Sequence, residues 1–446
     1  MASKSEPPAE TAERPGSLLV LALLAPIAGA IAGLLGSVFR LALERGDRIR
    51  DALILREHGH KTPGFLMVTL SCAAATALAA WLVRRYSPLA SGSGIPLVEA
   101  VLEGKLPQAP FPLIPVKFLG GLLAMGAGLA LGREGPSVQM GATSADTLAR
   151  IFKRNLPDRR VLLAAGAGAG LATAFNAPIA GAIFVLEELV RRFEPRIAIV
   201  ALGASSAAIT VAHLFLGYQP DFHVEALAFT RNNGIKILFF VLGAVAGLAG
   251  MAYNHAILGA IAAADRVHRW PVEFRAALIG AGVGILAWYA PGLVGGGDPI
   301  TQSMLEGLGT LALIPILFLI RFALGAVSYA AATPGGLFAP MLVLGAQLGL
   351  FFGIGCQFLF SGLHIQPVAF AVVGMAAFFA GVVRAPLTGI VLVTEMTGNV
   401  TMLLPMLSAC FAAMLFTTLL GNPPIYDSLR ERTMLNASAA PRSSLR

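Results

Sequence analysis

Residues 177–187 read APIAGAIFVLE, from Ala177 to Glu187, and residues 385–395 read APLTGIVLVTE, from Ala385 to Glu395. The two stretches lie 208 positions apart, and their lead-ins keep step: Gly166 matches Gly374 and Ala169 matches Ala377. Upstream, PSVQMGA from Pro136 to Ala142 resembles PMLVLGA from Pro340 to Ala346, at an offset of 204. Two ordered blocks with nearly equal offsets mark a duplicated half. Repeat one covers about 18–215 and repeat two about 234–426, joined by a linker at about 216–233 that includes the polar stretch Asp221–Asn233. Duplicated membrane halves place a substrate site at their interface, built from broken helices near the bilayer midplane.

The composition makes these halves membrane-embedded. The chain has 446 residues, 56% hydrophobic and 13% charged, with mean hydropathy +0.76. Soluble proteins carry roughly 25% charged residues. Leu18–Phe39, Phe65–Val83, Ile197–Leu216, Ile237–Ala263, Leu308–Ile320 running on past Arg321, and Leu403–Leu420 reach or approach spanning length. The first follows a polar, Pro/Glu-rich tail at residues 1–16 that reads as disordered, and it is too long for a signal peptide. Both termini are expected on the cytoplasmic side, the C-terminal one as a short tail at 427–446 with no room for a regulatory domain. The net charge is +8. The basic residues fall between apolar stretches, at Arg45/Arg48/Arg50, Arg84/Arg85, Lys153/Arg154/Arg159/Arg160, Arg191/Arg192/Arg196, Arg266/Arg269/Arg275 and Arg430/Arg432. They read as short loops whose charge sets topology. No basic patch with interleaved aromatics points to nucleic acid. Cys72, Cys356 and Cys410 are widely spaced and apolar in context, and His58-Gly59-His60 lies in a polar loop, so neither a disulfide framework nor a metal site is expected.

Three glycine-proline signatures interrupt or border the apolar stretches: Gly92-Ser93-Gly94-Ile95-Pro96, Gly132-Arg133-Glu134-Gly135-Pro136 and Gly336-Leu337-Phe338-Ala339-Pro340. Each predicts a helix start with bare backbone N–H groups, which is how a protein holds an anion at membrane depth. A dinucleotide role for these glycines would need a soluble strand-turn-helix unit, which the pattern lacks. The second signature adds an ionisable glutamate inside the membrane, a functional residue by default. The repeat register separates function from scaffold. Glu134 falls opposite Phe338, Arg133 opposite Leu337 and Glu188 opposite Met396, whereas Glu187 falls opposite Glu395. Transport coupling needs broken symmetry, so Glu134 and Glu188 are the functional candidates. Glu187 and Glu395 are expected to cap or pair.

The sequence resembles the CLC family of chloride channels and proton-coupled chloride exchangers. The likeness rests on GSGIP, Pro115-Val116-Lys117-Phe118, LGREGPSVQ, Ala174-Phe175-Asn176-Ala177-Pro178, FVLEE ending at Glu188, PGGLFAP, RAPLTG and Glu395-Met396-Thr397, and runs from about Leu18 to Tyr426. It is most similar to the compact bacterial exchangers. The resemblance implies an all-α fold of two inverted repeats, a homodimer with one pathway per subunit, residence in a bacterial inner membrane and no cofactor. It also implies roles. The Ser93 and Tyr426 hydroxyls and the Leu337 and Phe338 backbone N–H groups would hold chloride. Glu134 would be the outward gate and Glu188 the inward proton carrier. Glu99, Glu103 and Lys117 match charged family positions without direct contact. Ser93 in place of proline points to chloride over nitrate, and an intact GREGP argues against the fluoride branch. The run from Ser328 to Thr333 has no strong counterpart.

Elementary energetics allow these roles. Stripping an ion of water costs tens of kcal/mol by the idealised Born estimate. Helix ends at up to ~2 kcal/mol each, with charged hydrogen bonds at ~1.5–3 kcal/mol each, together return on the order of 10 kcal/mol. That suffices for reversible binding if some hydration or a second ion remains, and conduction needs release. A carboxylate is an anion and can take chloride's place until protonation neutralises it. Blander roles stay open for each residue: an ion pair for Glu134, an N-cap for Ser93, an interfacial acid for Glu188, an aromatic-belt residue for Tyr426. Lys117 is expected to snorkel, and the Phe338 ring to be core. The expected function is chloride/proton antiport. A passive chloride channel of the same fold is the alternative. An intramembrane enzyme is disfavoured because no HExxH, GxSxG or paired membrane histidines occur.

Overall fold

A computed structural model describes residues 17–225, 227 and 233–439. The expected disordered tail at 1–16, residues 226 and 228–232 of the linker and the last residues from 440 lie outside them. Among the described residues seventeen α-helices form and no strand. The first half holds α1 (Leu18–Glu57), α2 (Lys61–Tyr86), α3 (Ile95–Leu102), α4 (Leu113–Gly126), α5 (Glu134–Ile151), α6 (Leu156–Phe175), α7 (Pro178–Phe184) and α8 (Pro195–Leu216). The second holds α9 (Asn233–Arg266), α10 (Val272–Tyr289), α11 (Asp298–Leu305), α12 (Ile314–Tyr329), α13 (Phe338–Leu359), α14 (Pro367–Val383), α15 (Pro386–Thr397) and α16 (Leu403–Leu419). A last helix, α17 (Ile425–Ala439), follows. Long and short helices recur in the same order in both halves.

Among the described residues five stretches are long and apolar enough to cross a membrane: Leu18–Tyr86, which joins α1 and α2, and the stretches of α8, α9, α10 and α13. Shorter apolar helices are α4, α12, α14, α15 and α16. Several short helices open on a proline in their first turn, among them α3, α7, α11 and α15. That position wastes no hydrogen bond, because the N–H it removes has no intrahelical partner.

Packing repeats along with the order. In the first half α5 packs on α6 and α1 on α8; in the second, α13 packs on α14 and α9 on α16. Small residues make these contacts. A Cβ added at Gly29 or Gly33 would strike the backbone of Ala204 or Ala208, and one at Gly243 or Gly247 would strike Ala409 or Ala413. The same Gly-xxx-Gly spacing thus closes equivalent helix pairs in both halves, as membrane helices do when lipid offers no hydrophobic drive. Large apolar side chains point outward instead, as at Leu19, Leu23, Leu70 and Leu214. The halves meet where α2 packs on α10 and α7 on α15.

Several expectations are corrected. The stretch Leu308–Ile320 is not one helix: 308–313 is irregular and α12 begins at Ile314, with Pro315 in its first turn. The first helix does not stop near Phe39 but runs to Glu57, so Arg45, Arg48 and Arg50 lie on it and not in a loop. Arg84 and Arg85 close α2, Arg159 and Arg160 lie in α6, and Arg430 and Arg432 lie in α17. Helix ends, rather than loops, carry much of the positive charge. The expected C-terminal tail is helical as far as Ala439. His58 belongs to a single 3-10 turn and stacks on Trp288 at 4.2 Å between ring centroids.

Candidate anion and proton site

The three signatures converge. Each precedes a helix N-terminus, those of α3, α5 and α13. Short backbone bridges clamp them together. Gly132 and Gly336 exchange both hydrogen bonds, at 2.9 and 2.7 Å. Gly92 N–H donates to Thr333 O at 3.0 Å, and Gly335 N–H to Gly92 O at 3.1 Å. Loops from opposite repeats therefore hold one another at fixed spacing, and the N-termini that follow them share one buried site.

Glu134 occupies the middle of it. The residue is fully buried, and Oε1 accepts the Phe338 N–H at 2.6 Å. Phe338 is its own counterpart in the other repeat, 204 positions on. A Cβ at Gly132 would lie 2.0 Å from Oε2, and one at Gly336 2.1 Å from Oε1. Only glycine at both positions leaves room for the carboxylate. The ion-pair alternative fails, because Arg133 turns away. Its guanidinium donates to Asp298 at 2.9 Å, to Asp221 at 3.1 Å and to Ala174 O at 2.8 Å. Among the described residues no basic side chain forms a salt bridge to Glu134.

Ser93 is buried beside the first turn of α5. A Cβ at Gly135 would lie 2.6 Å from Ser93 Oγ. Ser93 is not an N-cap: Gly94, in the left-handed region at φ +86°, holds that position and the side chain makes no cap bond. Among the described residues its hydroxyl has no hydrogen-bond partner, and neither has the hydroxyl of Tyr426. The two lie close together without forming a bond of ordinary geometry. Tyr426 is fully buried in the first turn of α17, which rules out an aromatic-belt position. Leu337 is buried at the N-cap of α13. The Phe338 ring packs among Phe175, Phe184, Phe379 and Tyr426, so only its backbone faces the site. The α13 N-terminus holds the carboxylate, and two hydroxyls without a partner among the described residues lie nearby, a set of donors suited to an anion.

Glu188 lies apart from this cluster, in a π-helical turn at Val185–Leu189 that continues α7. It is buried rather than interfacial, and Arg191 approaches its carboxylate at 3.5 Å. Glu99 of α3 lies close enough to interact with it electrostatically. Arg430 bridges Glu99, Glu103 and Asp427 at 3.3, 2.8 and 3.0 Å. A second acidic centre thus sits between α3, the end of α7 and α17.

The sequence reading placed Lys117 as a snorkelling residue, and the structure overturns this. Lys117 is fully buried, and Nζ donates to Ala90 O at 3.0 Å and Gly92 O at 2.7 Å. Arg321, its counterpart 204 positions on, is equally buried and donates to the carbonyls of Leu293, Gly295 and Gly296. The pair exposes a fourth signature that the reading missed. Gly295-Gly296-Gly297-Asp298-Pro299 is the counterpart of GSGIP at an offset of 203, with Gly297 at φ +96° as the N-cap of α11. Shared glycines and a proline were the available signal, but Ser93 and Ile95 are replaced by Gly296 and Asp298. Tyr329 was also missed, and its hydroxyl accepts the Ser93 N–H at 3.2 Å. With Ser328, whose Oγ accepts the Ala130 N–H at 3.0 Å, it accounts for the unfamiliar run before the third signature.

Comparison with known proteins agrees with this fold. The family model described as voltage gated chloride channel matches residues 75–418. The H(+)/Cl(-) exchange transporter ClcA of Vibrio cholerae serotype O1 is 37% identical over 427 residues, covering 95% of this chain and 91% of its own length. The transporter of the same name from Salmonella arizonae is 36% identical over 437 residues, with 96% and 91% covered. Among solved structures, a slow cyanobacterial Cl-/H+ antiporter superposes with TM-score 0.89 at 33% identity, over 93% of this chain and 98% of that one.

Proposed function

This chain belongs to the CLC family of chloride channels and exchangers, and from that premise we propose that it is a secondary active antiporter that exchanges chloride for protons. The observation that carries the mechanism is the 2.6 Å hydrogen bond from Phe338 N–H to Glu134 Oε1. The family resemblance gives that N–H to chloride, and here a carboxylate takes it. One donor cannot serve both anions. Chloride entry therefore displaces Glu134, and a displaced carboxylate that picks up a proton has lost the charge that drew it to the site. Carboxylate and chloride occupancy are mutually exclusive, so proton uptake and chloride entry become linked steps of one cycle. Ser93, Tyr426 and Leu337 hold the ion with Phe338. Glu188, buried behind the site, passes the proton to the cytoplasmic side.

A passive chloride channel is the second reading. Against it stands the buried acidic centre at Glu188 and Glu99, which a channel does not require. The protein acts as a homodimer with one pathway per subunit, in a bacterial inner membrane, with both termini cytoplasmic. It needs no cofactor and makes no covalent bond.

The test is proton movement driven by a chloride gradient in proteoliposomes. Wild-type protein should pump protons against their own gradient and speed up as pH falls, because protonation opens the gate. Glu134→Gln keeps the shape and removes the charge and the proton site. It should pass chloride at every pH and pump nothing. Uncoupled chloride flux in the wild type would establish the channel instead.

A further inference from the structure

We propose that the Tyr329 hydroxyl is a third side-chain ligand of the transported anion, acting with Ser93 and Tyr426. The inference rests on the anion-site reading above and names a residue that reading does not use. Tyr329 is the last residue of α12 and is buried. Its oxygen accepts the Ser93 N–H at 3.2 Å. A Cβ at Gly92 would stand 3.0 Å from that oxygen, so glycine clears the space in which the phenol reaches Ser93. The phenol also lies close enough to Tyr426 to interact with it electrostatically. Tyr329, at the end of α12, is thus linked to both Ser93, before α3, and Tyr426, in α17.

A phenol carries one hydrogen and two lone pairs. One lone pair is committed to Ser93 N–H, and the hydrogen remains. It cannot return toward the amide, which is itself a donor. Nor is it given to Ser93 Oγ, which has no hydrogen-bond partner among the described residues. An O–H group whose oxygen already accepts a hydrogen bond is polarised into a better donor. The anion between Ser93 and Tyr426 is the acceptor that this arrangement fits. The bond also commits the Ser93 amide, so that Ser93 offers the anion its hydroxyl alone.

Repeat symmetry supports a functional origin. The counterpart of Tyr329 at an offset of 204 is Met125, at the same end of α4. The scaffold closes that helix without a hydroxyl. Like Glu134, the phenol occurs in one half only.

Chloride affinity of the full-length, detergent-solubilised protein, measured by isothermal titration calorimetry, tests the proposal. Tyr329→Phe should weaken the Kd about tenfold, the scale of one hydrogen bond to a charged group. A Kd within twofold of wild type overturns the proposal. A second variant separates contact from mere anchoring of the Ser93 loop and disturbs packing least. It carries a ring-fluorinated tyrosine at position 329 and is assayed where the fluorophenol stays protonated. Fluorine strengthens the phenol as a donor and weakens it as an acceptor. A ligand role predicts tighter chloride binding; weaker or unchanged binding assigns Tyr329 to anchoring alone and overturns the proposal. Ser93→Ala in the same assay tests the premise. If it weakens binding while Tyr329→Phe does not, only the role of Tyr329 falls. If it leaves binding unchanged, the anion site itself is misplaced and the proposal falls with it.

Discussion

Glu134 and Glu188 are both buried carboxyls, yet their surroundings differ in kind. Glu134 is met by a backbone donor and a hydroxyl-rich pocket, Glu188 by another acid and an arginine. The first environment is built for anions in exchange with one another. The second holds charge in a small network of Glu99, Arg191, Asp427 and Arg430, the route proposed above for the proton. Glu188→Gln removes the titrating group from that network and leaves the anion site untouched. Chloride efflux from liposomes should therefore continue while chloride-driven proton uptake falls below detection. Proton uptake at wild-type coupling would make Glu188 a structural partner of Arg191 only.

At the scale of elements, the two repeats hold each other by exchanged caps. Glu187, just past α7, accepts the N–H groups of Leu387 and Thr388 at the start of α15, at 2.9 and 2.6 Å. Glu395, near the end of α15, accepts those of Ile179 and Ala180 at the start of α7, at 3.0 and 2.8 Å. Each carboxylate satisfies orphan donors and faces the positive end of the opposing dipole. Bonds to a charged acceptor contribute ~1.5–3 kcal/mol each. Glu395→Gln keeps one acceptor oxygen and loses the charge, so a loss of ~1–3 kcal/mol is expected. It should read as a lower unfolding temperature of the detergent-solubilised protein. Glu187→Gln should produce a matching drop, and an unchanged midpoint in both would deny the caps a stabilising role. The register had already assigned this glutamate pair to the scaffold, since both halves keep it. That each glutamate caps the other half's helix was not legible, because reciprocity across 208 residues is a property of how the halves meet.

For the whole molecule, one ion network ties both halves to the segment that joins them. Asp221 is buried in the linker and accepts from Arg40 of α1 at 2.8 Å and from Arg133 before α5 at 3.1 Å, while Arg133 also reaches Asp298 of α11. Removing one member of a buried ion pair costs about 3–5 kcal/mol, because the partner charge stays behind unpaired. Asp221→Ala leaves two guanidinium groups in that position. Its unfolding midpoint should fall further than that of either cap variant, and Arg133 should lose its orientation beside Glu134. A midpoint equal to wild type would show that the linker carries no such load.

What the sequence determined by itself was whatever repeats or breaks a local pattern. Hydropathy set the membrane class, the offsets of 204 and 208 exposed the duplication, and glycine-proline punctuation marked where α3, α5 and α13 begin. Each depends on residues near in sequence, whose backbone preferences act locally. The asymmetry of Glu134 and Glu188 was also legible, because one half can be read against the other. The tertiary structure alone decided the partners. Lys117 looked like a residue able to reach the membrane surface, and only packing showed it buried against the carbonyls of Ala90 and Gly92. Arg133 could have neutralised its neighbour Glu134, and only the fold placed Asp221 of the linker and Asp298 of α11 where they draw it away. Tyr329 is an ordinary end to an apolar helix until the halves dock and bring its hydroxyl to Ser93, 236 residues distant. A buried polar group needs a hydrogen-bond partner, and for Lys117, Arg133 and the Ser93 amide the folded chain provides it. Its own sequence neighbours state the requirement, and the distant backbone that arrives beside it supplies the answer.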